Sequence, residues 1–307
     1  MTSPRRPHLL MCAPEHFAVS YAINPWMDPA TWASKASTLL AASQAQWRAL
    51  HAKLSELGAA IDLVPPAADL PDLVFTANAA VVLDRKALLA RFRHAERQRE
   101  EGHFARAFQA LKDAGVIDDV EFLPDGMVLE GAGDCVWDQT RRMFWMGYGP
   151  RSDAGARRSV EAAFATEVIA LELADPHFYH MDTALAPLPR GEVMYVPGAF
   201  TPDGLDDIHE RVPPELRIAL STDDAAALAA NAVCLDDAIV LSRCGASLRR
   251  RLAMRGYHVH TSPLDAFARS GGSAFCLTLR LDRRSSPSTG RARSTPLEAA
   301  AASRTPV

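Results

Sequence analysis

The chain has 307 residues, 48% apolar and 23% charged, the composition of a folded protein long enough to bury a core without staples. Its 33 basic and 37 acidic residues leave a formal net charge of −4, which excludes a broadly basic nucleic-acid binder. No apolar run approaches the roughly 18 residues of a membrane span. The five cysteines, Cys12, Cys135, Cys234, Cys244 and Cys276, contain no Cys-x-x-Cys pair, so neither a disulfide framework nor a structural zinc site is expected.

At the N-terminus, Arg5 and Arg6 precede an apolar stretch, Leu9 to Ala13, that is too short for a signal-peptide core. A soluble protein of a reducing, cytoplasmic compartment is expected, with no membrane and no nucleic-acid partner. Residues 1–7 read as a flexible lead. The first helix is predicted from Pro29 to Leu57, because Trp32, Ala36, Leu39, Leu40, Trp47, Leu50, Leu54 and Leu57 recur at mostly three- and four-residue steps. Asp28 is its expected N-cap and Gly58 its stop. Further helices are predicted over His94 to Ala114, Asp153 to Ala165 and Ala246 to Arg255.

The strands carry an internal repeat. Five segments, TANAAVVLD, GAGDCVWD, YHMDTALAPL, AANAVCLDD and GGSAFCLTLRL, each begin with small or polar residues and pass into an apolar strand. The first four are followed by a second short strand, a helix-length stretch and a third strand. Start-to-start separations of roughly 40 to 55 residues signal an array of similar units. LLMCAP, the first helix and IDLVP supply an incomplete unit, which the C-terminal segment would close. Length alone suggests about two domains, but five ββαβ units around an axis predict one α/β propeller over residues 8–282. An open nucleotide-binding sheet would want a glycine-rich loop after its first strand, and none is present there. Residues 283–307, rich in Ser, Pro, Arg and small residues, read as a disordered tail.

In a radial array the polar strand starts converge: Asn78, Asp134, His180 with Asp182, Asn231, and Ser273 near Cys276. Taken singly, each has a plain reading. A free cysteine is usually a buried hydrophobe, and Glu130 with Asp134 could be an exposed acidic turn. His177 and His180 find no third ligand at a recognisable spacing, so no metal is expected. His180 and Asp182, two apart on a predicted strand, would face the same side. Glu130 and Asp134 could grip one guanidinium bidentately. Together they suit one chemistry. A thiolate attacks a guanidinium carbon better than water does, carboxylates hold the cation, and a histidine moves protons.

The segments MCAPEHFAVSYAINPWM, VFTANAAVVL, ARFRHAERQ, EGAGD, FYHMDTAL and GGSAFCLTLR, in this order, resemble the guanidine-modifying, or pentein, superfamily. It includes arginine deiminases, dimethylarginine dimethylaminohydrolases, amidinotransferases and arginine dihydrolases. The resemblance implies a cofactor-free five-bladed α/β propeller acting on a small guanidino compound. It assigns Cys276 as the nucleophile of a thiouronium intermediate and His180 as the acid/base. Glu130, Asp134 and Asp182 become guanidinium-binding or histidine-orienting carboxylates. Asn24 and Arg91 would hold the amino-acid end of the substrate, Arg91 as carboxylate clamp. Asn78, where many relatives carry an acid, points to an arginine dihydrolase releasing ornithine, ammonia and carbon dioxide. A dimethylargininase is the alternative, ahead of an amidinotransferase or a non-catalytic binding propeller. The resemblance leaves a monomer or a homo-oligomer open.

Overall fold

The computed structural model describes residues 6–286. The first unit opens with strand β1 (His8–Cys12), helices α1 (Pro29–Ala33) and α2 (Ala36–Glu56), and strand β2 (Ala60–Val64). The single helix expected over Pro29 to Leu57 is therefore two. The Ser34 hydroxyl donates to the Thr31 carbonyl, a side-chain bond that competes with the helical ladder, and Lys35 leaves helical geometry at φ −136°. Asp28 caps as expected, accepting from the Thr31 N–H at 3.0 Å. Trp32, Trp47, Leu50 and Leu54 of the predicted stripe are buried, whereas Ala36, beside the break, is exposed.

The next units repeat one plan. Strands β3 (Ala80–Leu83) and β4 (Lys86–Leu89) lead through helix α3 (Ala95–Asp113) to β5 (Asp119–Phe122). A helical turn, α4 (Gly131–Asp134), precedes β6 (Cys135–Asp138), β7 (Met143–Tyr148), helix α5 (Ala156–Phe164) and β8 (Val168–Glu172). A second such turn, α6 (Met181–Ala184), precedes β9 (Leu185–Pro187), β10 (Val193–Tyr195), helix α7 (Pro202–Arg211) and β11 (Arg217–Ala219). Then follow α8 (Thr222–Ala226), β12 (Val233–Leu235), β13 (Ala238–Leu241), α9 (Ala246–Ala253) and β14 (His258–Thr261). A last turn, α10 (Asp265–Ala268), leads to β15 (Leu279–Arg280).

Among the described residues these strands make five three-stranded sheets in a mixed α/β fold. In each, the middle strand is antiparallel to one neighbour and parallel to the other. β4 pairs antiparallel with β3, Val81 opposite Leu88, and parallel with β5, Leu88 beside Glu121. The first sheet is completed from the far end of the chain: β1 pairs parallel with β2 and antiparallel with β15, Leu9 opposite Arg280. The C-terminal segment thus closes the incomplete N-terminal unit, as the repeat predicts. The parallel pairing requires a long crossover, which explains a helix before every third strand. Middle strands are covered on both faces and read as continuous apolar runs; Met143 to Gly147 of β7 are buried.

The expected tail does not begin at 283. The Asp84 N–H donates to the Arg283 carbonyl at 2.9 Å, and the Ser285 N–H to Asp84 Oδ1 at 3.0 Å. Residues 287–307, with residues 1–5 of the expected flexible lead, lie outside the described residues. No helix among the described residues is long and apolar enough to cross a membrane.

Candidate active site

Three of the five polar starts of the repeated strands are helical turns, not strand ends. Thr76–Ala79 forms a 3-10 turn, and α4 and α6 occupy the equivalent places. Such a turn projects successive side chains in different directions, so His180 and Asp182 do not share a partner as a strand would have required. Two glycines let the turns approach. Gly131 sits at φ +63°, and a Cβ there would lie 2.7 Å from the Asn78 backbone carbon. A Cβ on Gly133 would overlap the Asn78 side-chain amide. Only glycine fits these places without strain.

Cys276, 3% exposed, lies at a narrow cavity shared with Ile23, Asn24, Asn78, Arg97, Arg151 and His180. Its free volume is about 10 Å³, room for roughly one water. The thiol is 3.1 Å from Asp182 Oδ2 and 3.0 Å from Asn231 Nδ2, and the Cys276 N–H donates to Asn231 Oδ1 at 3.1 Å. Asp182 Oδ1 is buried without a hydrogen-bond partner among the described residues. Burial raises the Asp182 carboxyl to about 7, against the lowering effect of its bond to Cys276 and of the Asn231 amide nearby. Burial, then the Asp182 charge, pushes the Cys276 thiol well above its ordinary range.

Glu130, fully buried, organises the other side. Its Oε2 accepts from His180 Nε2 at 2.8 Å and Arg151 Nη1 at 3.0 Å, and its Oε1 from the Arg93 N–H at 3.2 Å. Burial works against its ionised form, but Arg151 and the His180 hydrogen bond outweigh it and hold the carboxyl below its usual range. Burial also lowers His180 to about 4, despite Glu130. The imidazole is thus neutral near pH 7, donates Nε2–H to Glu130, and keeps Nδ1 as its acceptor. The arrangement matches a base oriented by a carboxylate.

Several expectations change here. Glu130 and Asp134 do not grip one cation: Asp134 accepts from the Ser152 hydroxyl at 2.5 Å and the Met181 N–H at 3.1 Å, holding turn α6 in place. Asn78 reaches the cavity, donating to the Glu130 carbonyl at 3.1 Å while its Oδ1 accepts from Arg97. Asn24 also reaches it, but its amide is spent on the Ser270 carbonyl and the Trp26 N–H. Arg91 does not reach it. Past the end of β4 its guanidinium turns to the Pro124 carbonyl at 2.6 Å and to Asp125, and it lines a separate cavity with Glu101 and Phe122.

The cavity's buried cations are instead Arg97 and Arg151, which the candidate set lacked. A signal for Arg97 existed. Arg97, Glu100, Phe104, Phe108 and Leu111 are the buried stripe of α3, so an ion pair occupies two core positions; Arg97 Nη2 meets Glu100 Oε2 at 2.7 Å. A buried pair at core positions is costly unless function retains it. Arg151, in a loop after Gly149-Pro150, carries no such periodic mark.

Known proteins resemble this chain over nearly all of its described length. The family model for eukaryotic N,N-dimethylarginine dimethylhydrolase matches residues 13–198. The bifunctional arginine dihydrolase/ornithine cyclodeaminase ArgZ of Synechocystis is 41% identical over 273 residues, covering 89% of this chain and 37% of that protein. The chain therefore spans little more than a third of that relative's length. The N(G),N(G)-dimethylarginine dimethylaminohydrolase of Mycobacterium tuberculosis is 34% identical, over 91% of this chain and 87% of that protein. Two crystal structures of the N-terminal domain of ArgZ superpose at 38% identity, covering 92% of this chain and 100% of theirs. One is bound to product, with a TM-score of 0.85; the other, an asparagine-to-serine variant covalently bound to a reaction intermediate, gives 0.84. By the matched family model and these relatives, the chain belongs to the dimethylarginine dimethylhydrolase family of the guanidine-modifying superfamily.

Proposed function

We propose that the protein is a cysteine-dependent hydrolase of free arginine, an arginine dihydrolase. One observation carries this reading: a buried thiol touches a carboxylate, Asp182, whose second oxygen is buried without a partner. Such an oxygen is costly unless a donor arrives, and a guanidinium N–H is a donor bearing the charge a carboxylate favours.

The Cys276 thiol gives its proton to His180 Nδ1, Sγ attacks the guanidino carbon, and the electron pair of the C=N bond moves to nitrogen. His180 passes a proton to the departing nitrogen; the C–N bond breaks, ammonia leaves, and a thiouronium remains. Water then attacks that carbon, His180 takes its proton, and the C–S bond breaks to give citrulline. Glu130, kept ionised beside Arg151, orients the imidazole and stabilises the imidazolium as it forms. Asn78 distinguishes one pass from two. A neutral amide holds a neutral urea better than a carboxylate would, so citrulline stays and is attacked again. Over both passes, arginine and two waters give ornithine, two ammonia molecules and carbon dioxide. The asparagine-to-serine variant of ArgZ, which carries a covalent intermediate, supports an asparagine acting on such a step.

Arg97 and Arg151 suit the substrate carboxylate. Entry requires the cavity to widen, since about 10 Å³ cannot admit an amino acid.

The five sheets close, on this reading, into the propeller the repeat predicts. The bonds between turns run in a ring: Asn78 to Glu130, Glu130 to His180, Asn231 to the Asp182 carbonyl, Cys276 to Asn231, and the Ala77 N–H back to the Cys276 carbonyl at 3.2 Å.

Purified protein incubated with arginine should release ornithine and ammonia, and Cys276→Ser should lose turnover by more than about 10⁴-fold while keeping its fold. Citrulline and dimethylamine from dimethylarginine, without turnover of arginine, would place the protein with the Mycobacterium relative instead. No turnover of either substrate would refute a guanidine hydrolase.

A further inference from the structure

We propose that Asn231 sets the charge state of the nucleophile: its side-chain amide donates to Cys276 Sγ and so favours the attacking thiolate. This rests on Cys276 being the nucleophile. The orientation of the amide follows from its neighbours. The Cys276 backbone N–H, 3.1 Å away, can only donate, so the atom facing it must be Oδ1. That turns Nδ2 toward the sulfur at 3.0 Å and the Asp182 carbonyl at 3.3 Å. The two hydrogens on Nδ2 are thereby both assigned. One side chain thus clamps the nucleophile at its backbone and its sulfur, and ties it to the turn bearing Asp182.

A hydrogen bond to an ion is roughly twice as strong as one to a neutral group, so this donor stabilises the thiolate more than the thiol. It is needed because the surroundings oppose ionisation. Sγ is buried, and Asp182 touches it at 3.1 Å. The other titratable or charged groups at the cavity are Asp72, Arg97, Arg151, Tyr179 and His180, none with a hydrogen bond to the sulfur among the described residues. The Ser273 backbone adds the remaining favourable contact. Asn231 is fully buried, and Leu228 three residues earlier has φ +53°, so the turn that aims it holds a leucine in left-handed geometry.

The test is the pH dependence of iodoacetamide alkylation at Cys276, followed by peptide mass spectrometry to separate it from the other four cysteines. Asn231→Leu keeps the side chain's bulk and Asn231→Ala removes it, and both lose the donor without adding a charge. In either folded variant the alkylation midpoint should rise by about one pH unit or more, with kcat lowered and KM changed less. A folded variant with the parent midpoint would overturn the proposal, even if its kcat fell. Should both variants fail to fold, the unsubstituted protein decides. The ¹⁵N signal of the Asn231 side-chain amide should titrate with the alkylation midpoint, and a flat response would overturn it. Failure of the underlying reading looks different: Cys276→Ser would keep turnover, or alkylation of Cys276 would leave it unchanged.

Discussion

Two groups of buried polar residues stand behind the cavity, one reaching it through His180 and Arg151 and the other through Cys276, and they are built in opposite ways. On the Glu130 side every charge is matched: the carboxylate has Arg151, His180 and the Arg93 N–H. On the Cys276 side the matching is incomplete, since Asp182 Oδ1 has no partner. The paired side holds its protonation states fixed without substrate. The unpaired side is poised, with Asp182 raised to about 7 by burial. A site for a cation needs both, a rigid acid/base and an unsatisfied acceptor that the cation completes.

The largest effect should come from breaking the paired side. Glu130→Gln leaves Arg151 buried without its counter-ion, and losing one partner of a buried pair costs about 3–5 kcal/mol. Urea denaturation at pH 7 should show this loss, and turnover should fall by about 10²-fold or more with the imidazolium unsupported. The pH dependence separates the causes. Glu130 is held below its unfolded value of 4.5, so its contribution is full above that value and lost as pH falls. His180, lowered by burial from 6.5 to about 4, loses stability in the same direction, between about 6.5 and 4. Asp182 runs the other way: raised by burial, its contribution is present below 3.8 and lost as pH rises through about 7. Glu130→Gln should flatten the acid limb of stability and leave the Asp182 limb. Equal acid limbs in parent and variant would show that Glu130 is not ionised against Arg151.

The unpaired side should reveal itself in kinetics. Asp182 accepts a guanidinium N–H more strongly as the carboxylate, so kcat/KM on arginine should rise as pH passes about 7, where burial places this group in the free enzyme. Asp182→Asn should remove that limb. A limb persisting unchanged in Asp182→Asn would assign it to another group, the Cys276 thiol first.

A subtler change bears on product. A Cβ on Gly133 would overlap the Asn78 amide, so Gly133→Ala should displace Asn78 from the Glu130 carbonyl and Arg97 while leaving the side-chain pairings of Cys276, Asp182 and Glu130. The second hydrolysis should suffer more than the first, and citrulline should accumulate beside ornithine. An unchanged ornithine-to-citrulline ratio would remove Asn78 from control of the second step.

How much of this was legible in the sequence follows from range. The repeat, the third strands and the ends of the helices expected to reach Ala114 and Arg255 are local patterns, and they appear within about two residues of their predicted places. Asn78, Asp134, His180, Asp182, Asn231 and, near Ser273, Cys276 stand at repeat-equivalent starts, so the repeat found their place in the fold, whereas Glu130 entered through the EGAGD turn. It did not find their pairings. A strand reading places His180 and Asp182 on one face, but Met181–Ala184 winds into a helical turn, which sends His180 to Glu130 and Asp182 to Cys276. Arg151 depends on a loop reaching back to Glu130 across 21 residues, which no periodicity records.

The smallest expected effect is the most discriminating for the substrate's far end. The family resemblance assigned the carboxylate clamp to Arg91. Its guanidinium instead rests on the Pro124 carbonyl and 3.5 Å from the exposed Asp125. Partly exposed pairs of this kind are worth about 0–1 kcal/mol, so Arg91→Ala should leave stability nearly unchanged and KM for arginine within about threefold. Arg151→Lys, by contrast, keeps the charge opposite Glu130 but loses the planar fork that could also meet a carboxylate, and KM should rise by about tenfold or more. If Arg91→Ala raised KM as strongly, the segment around Pro124 would have to turn inward when arginine binds, carrying Arg91 from its separate cavity to the site.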